Sequence, residues 1–405
     1  MMQTARVAIV GGGLSGLYAA YLLQQRGFRD YVLLEARAVL GGRILSVPAP
    51  LPGSVLDGRA EADNRFDLGP SWFWPGYQRQ LDRLVDELGL TRFEQFEDGD
   101  MMVERSPQAS PARMRGYASV PPSMRLMGGM AALTNALHHR LDPARIFTGY
   151  SVRALRATAA QVELESVDAS GRVSTWHAAH VLLALPPRLA EARIAFLPAL
   201  PEALSRQWRD TPTWMAPHAK YVAIYDTPFW REQGLSGEAR SACGPLGEIH
   251  DASIPGGSAA LFGFFGVPAT ARRGVPEAQL RGACRAQMAR LFGPKAATPI
   301  TEFIQDWAWE AHTATTADPD SAGRHVEAPP PMAASGPWCG RLTGIASEWS
   351  LQFPGYVAGA VEAASLASQR LTFVVGQGDR EAGDAVGGLR SNLTPMGLDD
   401  GTRDR

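Results

Sequence analysis

Apolar and polar positions alternate in two different rhythms along this chain. Residues 7–10 form a short apolar run. Residues 14–25 carry apolar positions at helical spacing and stop before Gly27, a residue type that closes helices. Residues 31–34 are a second apolar run, closed by Glu35. The order predicts strand, tight loop, helix, strand, which is one βαβ unit. Further on, the spacing predicts helices over 78–88, over 129–141 behind a glycine pair, over 276–291, and over an Ala-rich stretch at 353–369. Residues 146–184 alternate as strands do, most clearly at 162–164 and 181–184, and stop at Pro186-Pro187. Residues 44–68 read as irregular or hairpin, 98–123 as loop or short strands, and 318–337 as a long loop. Past about residue 376 the apolar pattern fades into Gly, Asp and Arg, which predicts a disordered tail. No internal repeat is visible.

Composition narrows the function. The 405 residues suggest two or three domains, and 45% hydrophobic with 20% charged residues is ordinary for a globular protein. A net charge of −2 offers no basic field for nucleic acid or anionic lipid. Cys243, Cys284 and Cys339 are far apart, which argues against a disulfide framework or zinc ribbon and suits a reducing cytoplasm. Residues 7–23 are too short and glycine-interrupted for a membrane span, and nothing later approaches one. The expectation is a soluble, cytoplasmic protein acting on a small molecule. Only Lys220 and Lys295 are lysines among 39 basic residues, so each is compositionally unexpected.

The chemistry starts at Gly11-Gly12-Gly13-Leu14-Ser15-Gly16, which fits G-x-G-x-x-G between a strand and a helix. Gly11 permits the turn, Gly13 lets backbone N–H groups approach a pyrophosphate, and Gly16 allows close helix–strand packing. The helix start adds partial positive charge. Glu35 stands where the acid that accepts ribose hydroxyls is expected. Gly41-Gly42-Arg43 follows and adds donors and a cation. No second such loop follows a later strand.

With these segments the sequence resembles the flavin-dependent amine oxidase family over nearly the whole chain to about residue 370. Asp67-Leu68-Gly69-Pro70-Ser71-Trp72 resembles the segment passing the flavin, and Met127-Gly128-Gly129-Met130 the glycine pair opening a helix. Residues 183–187 are similar to the strand end returning to the cofactor. Residues 220–231 resemble the stretch whose lysine reaches flavin N5 through a water. Trp307 and Glu310 match a W-x-x-E segment; Glu348, Pro354-Gly355-Tyr356 and residues 359–362 match the final FAD segment.

The resemblance implies an α/β fold. A Rossmann-like FAD-binding domain (1–71, 123–212 and 338–376) would be interleaved with a smaller α+β substrate domain (72–122 and 213–337), ahead of the tail at 377–405. It implies FAD contacts from the first loop (Gly11, Gly13, Leu14, Ser15, Gly16), from Glu35, Ala36 and Arg37, and from Gly41, Gly42 and Arg43. Gly69, Pro70, Ser71, Val152, Ala184, Glu348, Gly355, Tyr356 and Val357 complete the set. Lys220 and Tyr356 are the implied catalytic residues, with Trp72, Trp74, His312 and Tyr356 around the substrate.

The implied reaction is FAD-dependent amine oxidation by hydride transfer to N5, giving an imine and, on reoxidation by oxygen, hydrogen peroxide. A desaturase or dehydrogenase of a non-amine substrate is the alternative on the same fold, and a non-catalytic flavoprotein a third. Amino-acid oxidation is disfavoured, because Ser71-Trp72 stands where a carboxylate-binding arginine would be sought. Thr316 and Ala317 stand where covalent members carry a cysteine and a second cage tyrosine, implying non-covalent FAD and an incomplete cage. Ala346 replaces a glycine ahead of Glu348, and the stretch between Ser71 and Met127 is short, leaving few helices to roof the cavity. Metal ligation is not expected: His177 and His180 fall on opposite faces of a strand, and His138-His139 sit half-exposed on a helix.

Overall fold

A computed structural model describes residues 3–49, 63–320 and 327–371. The expected βαβ unit is present: strand β1 (Gln3–Val10), helix α1 (Leu14–Gln25) and strand β2 (Tyr31–Glu35). β1 lies between β2 and strand β3 (Val173–Leu183), parallel to both, with Val10 level with Leu34 and Leu183. Two short strands extend this parallel register. Ile146–Thr148 sets Thr148 beside Glu35, and Leu342–Gly344 sets Gly344 beside Leu183. Five parallel strands therefore end along one edge. That edge is where the fold gathers Gly11, Glu35, Val152, Ala184 and Ala346, although they are distant in sequence. Ligands favour this edge of a parallel sheet. Ser151–Ala157, Val162–Val167 and Ala195–Leu197 complete the eight-stranded sheet. Its core includes Val10, Leu34, Trp176, Trp208, Trp338 and Trp349.

A second, seven-stranded sheet is built around strands β4 (Ala219–Tyr225) and β5 (Ala259–Phe265), paired antiparallel. Every residue of β4 is buried. Its period of two sends Ala219, Tyr221, Ala223 and Tyr225 into one core and Val222 and Ile224 into another, with Phe66, Leu68 and Phe262. Lys220 shares the second face. Both sheets lie within one unit, Met1–Ser368.

The helices expected over 78–88, 129–141 and 276–291 form as Arg79–Glu87, Ala131–His138 and Glu277–Phe292. The last helix, α2 (Val357–Arg370), begins four residues later than expected, because residues 351–356 run in bends and turns, with Gly355 at φ +85°. Residues 98–123 contain two strands at the edge of the second sheet, Asp100–Glu104 and Ala112–Arg115. His138 and His139 are exposed rather than half-exposed. His177 Nδ1 accepts from Gln161 Nε2, and His180 donates through Nδ1 to Gly340 O and pairs through Nε2 with Thr343 Oγ1, so each ring is used within the fold. The tail expected at 377–405 lies outside the described residues.

Candidate functional site

The glycine loop is shaped by neighbours that leave no room for side chains. Gly11 has φ +109°, and a Cβ there would lie 2.8 Å from the Ala184 carbonyl oxygen. A Cβ on Gly16 would lie 2.0 Å from the Gly11 oxygen. The Glu35 carboxylate is 5% exposed and ties the loop to the strand end. Gly12 N–H donates to Oε2 at 2.6 Å and Arg37 N–H to Oε1 at 2.8 Å.

Gly13 differs from its neighbours. Its φ of −76° suits any residue, and a Cβ there would come no nearer than 3.8 Å to another atom of the protein, Gly42 Cα. Packing alone does not require glycine at this position. Gly13 caps α1 without a side-chain hydrogen bond, and no acid stands in the first turn. The orphan N–H groups and helix dipole therefore serve a cleft of about 250 Å³ whose lining includes Gly11, Gly13, Ser15, Gly42 and Arg43. Glu35, Ala36, Arg37, Val152 and Ala184 line it too. A bare glycine facing helix N–H donors, with a carboxylate at the next strand end, fits the diphosphate and ribose of a dinucleotide.

A second cavity, of about 380 Å³, meets the first; Arg43, Thr313, Ser347 and Ala360 line both. Leu14, Gly41, Gly69, Pro70 and Ser71 form one side of it, and Gly355, Tyr356 and Val357 another. Trp72 and Trp74 line it as expected. Arg43 is held by Glu348, with Nη2 to Oε2 at 3.0 Å, and by Ser347. Gly69 fits because a Cβ would sit 2.1 Å from the Arg43 carbonyl oxygen.

Lys220, the second residue of β4, is 2% exposed and lines this cavity. Its Nζ donates to Gly69 O at 3.0 Å and to Ser71 Oγ at 2.7 Å, and lies 4.1 Å from the centre of the Phe262 ring. Burial brings its pKa down to about 7; the buried Asp67 carboxylate opposes this and Arg125 adds to it. Tyr356 packs on Trp214 with ring centres 4.6 Å apart and meets Trp74 edge-on at 6.3 Å. His218 also lines the cavity, and burial, with the nearby Arg272 charge, lowers its pKa.

Three placements differ from the sequence expectation. His312 lines the cleft beside Ala36 and Arg37, not the aromatic cavity, because the 310–313 turn is drawn there by an Arg37–Glu310 ion pair at 3.2 Å. Gly16 and Glu348 line neither cavity: Gly16 packs the helix on the loop, and Glu348 holds Arg43. Thr316 is exposed and lines neither, whereas Thr313 of the same segment lines both. Sequence reading missed Trp214, Met215, His218 and Phe264 as cavity walls. Residues 211–218 have no periodicity to betray an inward face. The one available signal was their position directly before Lys220. Met215, at φ +62°, is the sole non-glycine with positive φ among the described residues.

Among the described residues no cluster of His, Cys, Asp and Glu could hold a metal ion, and no helix is long and apolar enough to cross a membrane. Residues 9–88 match an NAD(P)-binding Rossmann-like domain, and residues 91–372 match the family of flavin containing amine oxidoreductases. A probable flavin-containing monoamine oxidase A of Dictyostelium discoideum is 23% identical over 90% of this chain and 97% of its own length. Putrescine oxidase of Kocuria rosea is 28% identical over 79% of this chain and 86% of its own. A solved structure of putrescine oxidase with bound putrescine superposes with a TM-score of 0.71 at 21% identity, covering 91% of this chain and 99% of that one. With a family match over more than half its length, this chain belongs to the flavin containing amine oxidoreductases and is a flavin-dependent oxidoreductase.

Proposed function

We propose that this chain oxidises an amine to an imine with FAD, which it holds without a covalent bond. The observation that carries the reading is Lys220: an amine nitrogen buried in an aromatic cavity that is continuous with a dinucleotide-shaped cleft. When bound, FAD supplies the hydride acceptor N5, and oxygen as final acceptor yields hydrogen peroxide.

The loop residues Gly11, Gly13 and Ser15, with Gly42 and Arg43, would hold the diphosphate, and Glu35 the ribose. Val152 and Ala184 would border the adenosine end. Gly69, Pro70, Ser71, Gly355 and Val357 would flank the flavin end, and Lys220 and Tyr356 would stand at the reacting groups. Val357, the first residue of α2, lines the cavity, and the partial positive charge of a helix start would favour negative charge there. Trp72, Trp74, Trp214 and Tyr356 exclude water, which lowers the pKa of an entering amine and makes its neutral, reactive form available. Lys220 keeps its N–H groups on Gly69 O and Ser71 Oγ, so its position is set before substrate arrives.

Non-covalent binding is supported by the cysteines, none of which lines either cavity. All three are unpaired, which supports a cytoplasmic location. Segments 1–71, 123–212 and 338–376 read as the FAD-binding part, because the first sheet carries the glycine loop. Segments 72–122 and 213–337 read as the substrate part, because the second sheet carries Lys220.

The test is anaerobic mixing of the purified flavoprotein with an amine. Bleaching of the flavin, then recovery in air with release of peroxide, is expected. Bleaching by an apolar polyene but by no amine overturns the reading in favour of the desaturase alternative.

A further inference from the structure

The charges around the aromatic cavity are already spent. Among its described lining residues there is no Asp and no Glu. The charged or titratable side chains there are Arg43, His218, Lys220 and Tyr356, whose phenol is uncharged. The Arg43 guanidinium is held by Glu348 and Ser347. The Lys220 nitrogen donates to Gly69 O and Ser71 Oγ and faces the Phe262 ring. Burial lowers the pKa of His218 and so favours its neutral form. Glu348 and Asp67 neighbour the lining residues Ser347 and Leu68 in sequence without lining the cavity themselves. Glu348 is occupied by Arg43, and Asp67 accepts through Oδ1 from Ser46 Oγ and Met130 N–H, while its Oδ2 is buried without a hydrogen-bond partner.

The indole walls repeat this pattern. Trp72 Nε1–H donates to Gln95, Trp74 Nε1–H to Ser123 and Trp307 Nε1–H to Leu68 O. Their donors are directed into the protein, and carbon surface lines the cavity. Among the described lining residues, a second ammonium brought into this space would meet no carboxylate, and a carboxylate would meet no cation without a partner of its own. Either charge would lose its hydration without compensation.

Resting on the reading as an amine oxidase, we infer that this site takes monoamines with uncharged, apolar bodies and rejects both diamines and amino acids. This separates the chain from the putrescine oxidase it resembles in fold, whose solved structure holds a diamine.

The experiment compares three ligands with the same five-carbon amine arm and different ends: n-pentylamine, 1,5-diaminopentane and 6-aminohexanoate. Benzylamine serves as an aromatic monoamine. At pH 8, kcat/KM for n-pentylamine should exceed that for either charged partner by about a hundredfold. Binding, read independently from quenching of the tryptophans that line the cavity, should show the same order. The gap to the diamine should narrow toward pH 10, where its second amine loses its proton, whereas the gap to the carboxylate should persist. Equal turnover and binding of the diamine or the amino acid would overturn the inference and leave amine oxidation standing. Failure of all four to bleach the flavin would overturn the amine-oxidase reading itself, and this inference with it.

Discussion

Burial sets the protonation of Lys220 before any substrate arrives. An unfolded chain would give this lysine its ordinary pKa of 10.5, whereas the fold lowers it to about 7. Between these values the unfolded chain binds a proton that the folded chain refuses. Stability should therefore rise with pH across that window, by at most about 1.4 kcal/mol per pH unit. Lys220→Met removes this dependence. Its Tm should exceed the wild-type value near pH 7, and the difference should shrink by pH 9.5 in parallel thermal melts. A constant difference would remove the buried-amine account. The two kinds of glycine in the first loop make a second contrast. Gly16→Ala drives a Cβ to 2.0 Å from a backbone oxygen and should cost about 3 kcal/mol of stability. Gly13→Ala meets nothing nearer than 3.8 Å; it should lower the apoprotein's Tm far less than Gly16→Ala, by no more than the loss of a favoured N-cap residue, and weaken FAD binding about tenfold or more in a flavin titration. Both residues occupy G-x-G-x-x-G positions, so the motif could not say which glycine the protein needs and which the ligand needs.

Between elements, the telling contact joins the turn after β2 to the turn before α2. Arg43 and Glu348 are 305 positions apart, and the pair is held with Glu348 only 3% exposed. Glu348→Ala leaves the guanidinium beside the cavity without its counter-charge. A loss of about 2 kcal/mol is expected in urea melts, less than for a wholly buried pair because Arg43 is 27% exposed. Flavin affinity should fall with it, and Glu348→Gln should restore part of both. The resemblance placed Glu348 on the cofactor; the contact makes it a support for Arg43. Strand β4 was readable only in part. Lys220 stood out because lysine is so rare here, but its face follows from the alternation that buries Tyr221 on one side and Val222 on the other. The delayed start of α2 was less readable, since an Ala-rich run does not show where the turn at Gly355 releases the chain.

At the scale of the molecule, the site exists only where two sheets bring their parts together: the glycine loop from one, Lys220 from the other. Neither cavity is lined by a cysteine among the described residues, which supports the proposal of a cofactor held without a covalent bond. Acid precipitation of the purified protein should leave a yellow supernatant and a colourless pellet. A yellow pellet would overturn non-covalent binding. Thr316 is exposed, and Thr313 is the residue of this segment at the junction of the cavities. Counting positions from Trp307 cannot see that the intervening turn shifts which side chain faces inward.

The nucleotide end was legible in the linear chain because its chemistry is local. A strand, a glycine turn and a helix start lie within one short βαβ unit, and the proposed binding is by backbone N–H groups that this unit itself supplies. The substrate end was not. Trp214 and Phe264 come from different elements, with neither spacing nor period in common, and only the packing of the second sheet makes them walls of one cavity. The cavity's charge balance belongs to that packing as well. Arg43, Glu348, Lys220 and Asp67 are all plain in the sequence, but which of them are paired, and so which charges a substrate can meet, is settled by distances that only the folded chain creates.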